Sequence, residues 1–355
     1  MGKYALIMVS SFLLTFAWVR GNLQRSSEGF VNDFLAEYEE ATAKITANST
    51  AAMSLNRISD DVHWRDGYSD VLVGDGIGGA TVADRWTDAS LPVNRVCVRS
   101  WGTSGAATDS AVVLAVVPSV PTGVHASVTA NAIVTELGNL VVDGRDHDIH
   151  GNLISNEGTL GVSTTQTLDQ SGASRVGGTA YGADYAPSRP ADPAVVEEFA
   201  TYTFPTTPDE VFGYAEGTLK LRAQSGAYGG QYVTDPAALT FPLSGVTYVE
   251  LPDGDVWQAI EFGASSGVLV VHNNWGNARI KDLNGGSIKG LLIADDVEKI
   301  HCLIIGAVVA MAPTPVGNCI GNGTGDVLFS REAIEVASSI SAGGDGGVTV
   351  VSWWE

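Results

Sequence analysis

The densest group of polar side chains that could do chemistry lies in the segment VVDGRDHDIHGN. Four of its side chains are candidate metal ligands, Asp143, Asp146, His147 and Asp148. Side chains alternate along an extended chain, so Asp146 and Asp148 share a face. Carboxylate oxygens favour Ca²⁺, and the imidazole would also allow Zn²⁺. The segment is therefore a candidate metal site, with Ca²⁺ as the candidate ion. Roles in forming turns and capping rungs are the favoured interpretation of these residues.

A catalytic role for this segment is a weaker hypothesis. A polysaccharide lyase needs a base beside an acidic sugar, and few Lys or Arg residues lie nearby. A glycoside hydrolase needs two opposed carboxylates, and the pairs Asp253 with Asp255 and Asp295 with Asp296 are available. Acidic pairs of this kind are common in turns. We therefore predict that the protein is not an enzyme and has no catalytic residue.

The charge balance limits the classes of partner. The chain of 355 residues carries 40 Asp and Glu against 19 Lys and Arg, a net charge of -21. Such a surface repels phosphate groups, so we expect no binding to nucleic acid. The same surface would repel a polyuronate. It suits a soluble or secreted protein.

The N-terminal segment is apolar and then amphipathic. Residues 4–19 contain no charged residue, which is short for a membrane span of about 20 residues. No small-residue cleavage pattern follows, so the segment is predicted to stay in the working protein. From Phe30 to Ile58 apolar residues recur at spacings of three, four and seven, typical of one helix face. The sequence predicts a single helix of about 55 residues, roughly 80 Å long.

This layout resembles the type IV pilin superfamily, in particular its larger minor-pilin-like members. The resemblance is carried by the opening GKYALI, the apolar run, the continuation ending in AAMSLNRISDD, and a strand-rich segment with a Trp. It implies self-assembly through the helix, after membrane insertion and extraction by inner-membrane machinery. Pilins usually carry Glu at the fifth mature position, where this chain has Ala5, or Ile7 if processing follows Gly2. The predicted assembly residues are Tyr4, Leu6, Ile7, Phe12, Leu13, Leu14, Phe16, Trp18, Phe30, Phe34, Tyr38 and Ile45.

Residues 61–120 are predicted to form a small antiparallel sheet of the pilin-like region. Within them, GDGIGG (residues 74–79) matches the dinucleotide fingerprint G-x-G-x-x-G. That fingerprint must open a helix, whereas here the chain continues as the strand-like ATVADRW. We predict a glycine-rich hairpin turn at this point.

Residues 121–355 contain an internal repeat and are predicted to form a β-solenoid, a right-handed parallel β-helix. Gly267-VLVVH, Gly290-LLIAD, Gly306-AVVAM and Gly325-DVLFS align with one another, and Gly138-NLVVD resembles them. Stacked rungs would bury strands that one rung cannot bury. The alternative is an irregular β-sandwich. A Pro-rich insertion near 185–217 interrupts the repeats, and 194–200 could be helical.

Two further features follow from the stacking. Cys302 and Cys319, 17 residues apart, could form a disulfide between adjacent rungs, although buried free thiols are the alternative. His272 and His301 flank repeat strands and are expected to pair with polar neighbours across rungs as structural residues.

Together these features predict an α+β protein with a helix over 1–60, a sheet over 61–120 and a solenoid over 121–355. The predicted function is a structural subunit of an extracellular, cell-surface filament, a homopolymer without cofactors. The alternatives are a membrane-anchored β-helix lyase or hydrolase acting on polysaccharide, and a low-copy tip adhesin.

Overall fold

The computed structural model describes residues 2–60, 64–84, 87–88, 90–91, 95–117, 119–258, 261–314, 319–342 and 348–355, with the backbone alone for 2–11, 322, 342 and 349. Within these residues the helices are α1 (Gly2–Asp60), α2 (Pro208–Phe212), α3 (Thr218–Ser225) and α4 (Arg331–Ala342). The strands are β1 (Tyr68–Val73), β2 (Gly76–Ala83), β3 (Arg95–Ser104), β4 (Ala107–Val116), β5 (Ala126–Ala130), β6 (Val134–Gly138), β7 (Val141–Asp143), β8 (Arg145–His147), β9 (Leu153–Gly158), β10 (Leu160–Thr164), β11 (Leu168–Gln170), β12 (Arg175–Ala180), β13 (Ala183–Ser188), β14 (Val196–Glu197), β15 (Gln231–Val233), β16 (Val246–Glu250), β17 (Val256–Gln258), β18 (Ala264–His272), β19 (Arg279–Leu283), β20 (Ser287–Ala294), β21 (Asp296–Ile300), β22 (Leu303–Ala310), β23 (Ile320–Gly323), β24 (Asp326–Leu328) and β25 (Thr349–Trp354).

The chain divides into two compact units, and the second is inserted into the first. The first unit comprises Met1–Val116 and Val348–Glu355, and the second comprises Val117–Gly347. Strand β25 pairs antiparallel with β4 and so returns the C-terminal residues to the first unit. The sequence-based division differs here, because it assigned all of 121–355 to one domain. The repeat signal ends before β25, and an antiparallel partner more than 200 residues away leaves no local pattern.

The first unit consists of α1 packed on one face of a five-stranded antiparallel sheet. The strand order is β1-β2-β3-β4-β25. The prediction of one long N-terminal helix is confirmed, since α1 runs unbroken for 59 residues. Its sheet-facing side is made of small residues spaced three and four apart and of one isoleucine: Ala43, Thr46, Ala47, Thr50, Ala51, Ser54 and Ile58.

Glycines in the sheet allow this close packing. The chain turns at Gly74 and Asp75 and then forms β2, so GDGIGG is a hairpin turn followed by a strand, not a nucleotide loop. A Cβ atom on Gly78 would lie less than 3.0 Å from the Thr50 hydroxyl, and one on Gly102 would meet the helix backbone. The missing side chains therefore make room for α1.

The second unit is built from parallel strand ladders. Gly267 pairs with Gly290, and Gly290 pairs with Gly306, so three repeat segments stack in the predicted register. The fourth segment is shifted: Leu303 pairs with Asp326, an offset of 23 residues (326 minus 303) rather than the 19 that aligning Gly306 with Gly325 gave. Sequence similarity among short apolar runs does not fix the register, because neighbouring Val, Leu and Ile are interchangeable in such an alignment.

The order of strands in the ladder differs from their order in the chain. The second half of β22 pairs with β5, and β5 pairs with β10. Likewise β23 pairs with β6, and β24 pairs with β7. The earliest strands of this unit thus lie beside its last repeat strands. The connection over residues 181–245, which includes α2, α3 and the short β15, carries the chain between them.

Two apolar layers hold this unit together. One lies inside the ladders and is formed by residues such as Val142, Ile280, Leu292 and Ile304. The other lies on the outer face of the β16-β18-β20-β22 ladder, where Leu219 of α3 and Ile334 of α4 cover the strands. The predicted helical turn over 194–200 is instead a 3₁₀ turn at Pro193–Val195 followed by β14. The β-branched Val195 and Val196 favour the extended conformation there.

Candidate assembly surface

Large apolar side chains of α1 remain uncovered along most of its length. Nine of the predicted assembly residues are between 47% and 73% exposed: Phe12, Leu13, Leu14, Phe16, Trp18, Phe30, Phe34, Tyr38 and Ile45. The side chains of Tyr4, Leu6 and Ile7 lie outside the described residues. Among the described residues, no helix has an apolar stretch long enough to cross a membrane.

Seven of these nine residues form a stripe on the side of α1 that faces away from the sheet, whereas Leu14 and Trp18 project on the opposite side of the helix, near the angle of Ser54. At 100° per residue, Phe16, Phe34 and Ile45 project about 160° from Ala47 and Ser54 on the covered side. Burial therefore follows the small residues, and the described residues leave most of the apolar face predicted from the spacing uncovered. Of that predicted face, Ile58 is buried.

The C-terminal strand and the sheet loops fix the position of α1. Lys44 Nζ lies 2.6 Å from Glu355, and this hydrogen bond lowers the pKa of the Glu355 carboxyl. The side chain of Asn48 accepts a hydrogen bond from Trp353 Nε1 at 2.8 Å and donates one to Glu355 at 3.0 Å. The Tyr38 hydroxyl donates to Asp75 at 2.7 Å. These contacts hold the exposed stripe in a defined orientation relative to its sheet.

The four predicted metal ligands all bond to other groups of the protein. Asp143 accepts a bidentate contact from Arg145, the shortest distance being 2.6 Å. His147 Nδ1 lies 3.1 Å from the Phe329 carbonyl, and its Nε2 lies 3.8 Å from Asp143. In the part of the chain that the structure describes, no three His, Cys, Asp or Glu side chains converge as metal ligands.

The remaining two predicted ligands cap local structure. Asp146 accepts a hydrogen bond at 2.9 Å from the backbone N–H of Arg331, the first residue of α4, and burial raises the pKa of Asp146. Asp148 accepts 2.8 Å bonds from the backbone N–H groups of His150 and Asn152, and hydrogen bonding by Asn152 lowers the pKa of Asp148. These contacts fit the turn-forming and capping interpretation, and Ca²⁺ binding stays a prediction.

Cys302 and Cys319 are both buried free thiols, which is the alternative to the possible disulfide between them. Burial raises the pKa of Cys302 to about 12, and burial with the nearby carboxyls of Asp296 and Glu136 raises that of Cys319. Cys302 immediately precedes β22, in the ladder of β20 and β24, whereas Cys319 precedes β23, in the ladder of β21 and β6. A spacing of one rung does not make two residues neighbours when they belong to different ladders.

The two repeat histidines pair across rungs as predicted. His272 Nδ1 lies 2.6 Å from Asp295 Oδ1, and His301 Nδ1 lies 3.0 Å from the Thr324 hydroxyl. Asp295 is buried and also accepts two backbone N–H bonds. Its acidic neighbour in sequence, Asp296, begins the next strand, so Asp295 and Asp296 do not face each other as a catalytic pair would.

Comparisons with known proteins give little. No protein-family model matches the chain, and no curated protein matches it. Among solved structures, the competence-associated pilin ComZ from Thermus thermophilus aligns with 89% of this chain and 97% of its own, at 12% identity and a TM-score of 0.31. A TM-score this low carries no argument about fold or function.

Proposed function

We propose that the protein is a structural subunit of an extracellular, pilus-like filament and assembles through α1. One observation supports this proposal: the apolar stripe of α1 is fixed in position and uncovered. Burying a Leu or Phe side chain contributes about 1.5–3 kcal/mol. The seven side chains of the stripe, together with Leu14 and Trp18, would supply a large cohesive free energy in contact with neighbouring subunits.

Other copies of the same chain suit this surface best. From residue 12 to residue 45 the stripe extends about 50 Å, which is longer than one small domain can cover. Parallel helices from several copies can cover it completely, each burying the stripe of the next. The net charge of -21 favours bodies that stay apart and face solvent while the helices gather.

The finer parts of the proposal concern assembly and the second unit. Before assembly α1 would be held in the membrane and handed to the filament by inner-membrane machinery. The parallel ladders would close into a right-handed β-solenoid on the filament surface. No catalytic step is part of this function.

A charge placed in the stripe tests the proposal. We expect Leu13→Asp and Phe16→Asp to abolish filaments in negative-stain electron micrographs, because an unpaired carboxylate buried among apolar side chains costs several kcal/mol per subunit. The matched control is Ser26→Asp, which adds the same charge to an exposed residue of α1 outside the stripe. The circular dichroism of all three variants should equal that of the wild type.

Normal filaments from Phe16→Asp would rule out assembly through this stripe. Antibody labelling separates the remaining alternatives. Label along the whole filament is expected for a main subunit, whereas label confined to one end would identify a low-copy tip adhesin.

A further inference from the structure

Trp275 is presented to solvent by a loop of the second unit. It lies in the segment NNWGN that joins β18 to β19, and its side chain is 64% exposed. Exposing an indole ring to water is unfavourable, and large exposed aromatic groups on loops often mark binding sites. The question is whether the loop holds the ring in a fixed position.

The loop is organised around the buried side chain of Asn273. Its Oδ1 accepts hydrogen bonds at 3.1 Å from the backbone N–H groups of Trp275 and Asn277. Its Nδ2 donates to the Pro252 carbonyl at 3.0 Å and to Asn277 Oδ1 at 2.9 Å. The amide of Asn273 therefore bonds to its own loop through Trp275 and Asn277, and to the preceding turn through Pro252. The backbone of the loop at Trp275 is thus held before any ligand arrives.

The carboxylate of Asp295 connects this loop to the neighbouring histidine. Its Oδ2 accepts from the backbone N–H groups of Asn273 (3.2 Å) and Ala278 (2.9 Å), at the two ends of the loop. Its Oδ1 bonds His272 Nδ1 at 2.6 Å. That bond fixes the orientation of the imidazole, which is about nine-tenths buried and has Nε2 as its second ring nitrogen.

Polar groups continue along the ladder from His272. Glu250 pairs with His272 in the register of β16 and β18. Lys220 Nζ lies 2.7 Å from Glu250, and the Tyr232 hydroxyl also donates to it. Burial opposes ionisation of Glu250, but the bonds from Lys220 and Tyr232 outweigh it and lower its pKa. The row Lys220, Glu250 and His272 therefore offers both donors and acceptors beside the loop.

We propose that Trp275 and this polar row bind an uncharged pyranose glycan. The CH groups on one face of a pyranose ring are apolar and stack on an indole, while the hydroxyls at its edge both donate and accept hydrogen bonds. A single aromatic ring flanked by polar groups suits a sugar. A protein partner would need a broader apolar patch. Glu250 and Asp253 would repel a polyuronate.

The test uses isothermal titration of the full-length chain in a detergent without a sugar headgroup. The probes are cellohexaose, N-acetylchitohexaose and polygalacturonate. At least one neutral oligosaccharide should bind, and polygalacturonate should not. Trp275→Ala should weaken that binding about tenfold or more with unchanged thermal unfolding. His272→Gln, which also loses the bond to buried Asp295, should weaken it severalfold. The matched control is Tyr181→Ala, since Tyr181 is 97% exposed in the β12–β13 turn, and it should change the affinity less than about twofold.

The glycan proposal is overturned if neither neutral oligosaccharide binds, or if Trp275→Ala binds like the wild type. It is also overturned if Trp275→Ala loses filaments while binding sugar normally, which would make the ring a contact between subunits. Filament assembly by α1 does not depend on this site. Filaments from Trp275→Ala that no longer bind sugar would support both proposals separately.

Discussion

Replacing Gly102 by alanine is expected to lower the free energy of unfolding of the first unit by about 1–3 kcal/mol. The added methyl group would lie less than 3.0 Å from the Ala43 carbonyl oxygen and the Ala47 backbone nitrogen. These atoms belong to the backbone of a continuous helix, so no side-chain rotation relieves the contact. Either α1 moves off the sheet or the strand distorts. Chemical denaturation followed by circular dichroism measures the loss.

The same substitution elsewhere in the chain should have the opposite sign. Gly21 lies in the exposed part of α1, and no atom of the described residues lies within 4 Å of the position of its added Cβ, apart from its own neighbours in the helix. Gly21→Ala should therefore stabilise α1 by about 0.5–1 kcal/mol, because alanine loses less backbone entropy than glycine in a helix. Equal effects of the two substitutions would show that the close approach of α1 to β3 does not matter for stability.

The parts of the fold set by local periodicity could be predicted from the sequence. The absence of proline from the first 60 residues and the spacing of Phe30, Phe34 and Ile45 predict the long helix. The repeated Gly-apolar segments predict parallel stacking, which the pairing of Gly267, Gly290 and Gly306 bears out. The helix signal lies within single turns, and the repeat signal recurs from rung to rung, so each can be read without knowing which distant strands pair.

The parts of the fold set by distant pairing could not be predicted. Nothing near Thr349–Trp354 indicates that this strand completes a sheet begun before the second unit. The sequence also gives no sign that β5 pairs with β22, because strands with similar apolar faces can occupy the same place in a parallel ladder. Predicting the register also requires knowing which of several similar residues pair, as the shift of Asp326 shows.

The sequence predicted which residues form the candidate assembly surface, but not which side of α1 packs on the sheet. The stripe through Phe16 and Phe34 follows from apolar spacing. The covered side does not, because Ala43, Thr46 and Ala47 have little hydrophobicity and are selected for their small size against the glycines of β2 and β3. The loop of Trp275 could not be found either, since its support by Asp295 joins residues about 20 apart in sequence, on successive rungs.

The second large effect concerns Glu136, whose carboxyl is buried in the second unit. It lies in β6, is fully buried, and neither of its oxygens has a hydrogen-bond partner among the described residues. Burial disfavours the charged form and raises its pKa from 4.5 to about 8. The folded protein therefore holds this proton over a pH range in which the unfolded chain has lost it.

The stability of the second unit should consequently fall as the pH rises from about 4.5 to about 8 and then level off. The raised pKa corresponds to a loss of about 5 kcal/mol at high pH, at about 1.36 kcal/mol per pH unit. Glu136→Gln cannot ionise, so it should be more stable than the wild type by about 4–5 kcal/mol near pH 9 and by less than about 1 kcal/mol near pH 5. Chemical denaturation at both pH values measures the difference, and Glu216→Gln, at an exposed position, is the matched control. Parallel pH profiles for the wild type and Glu136→Gln would mean that the buried carboxyl gains a partner or water in solution and carries no such cost.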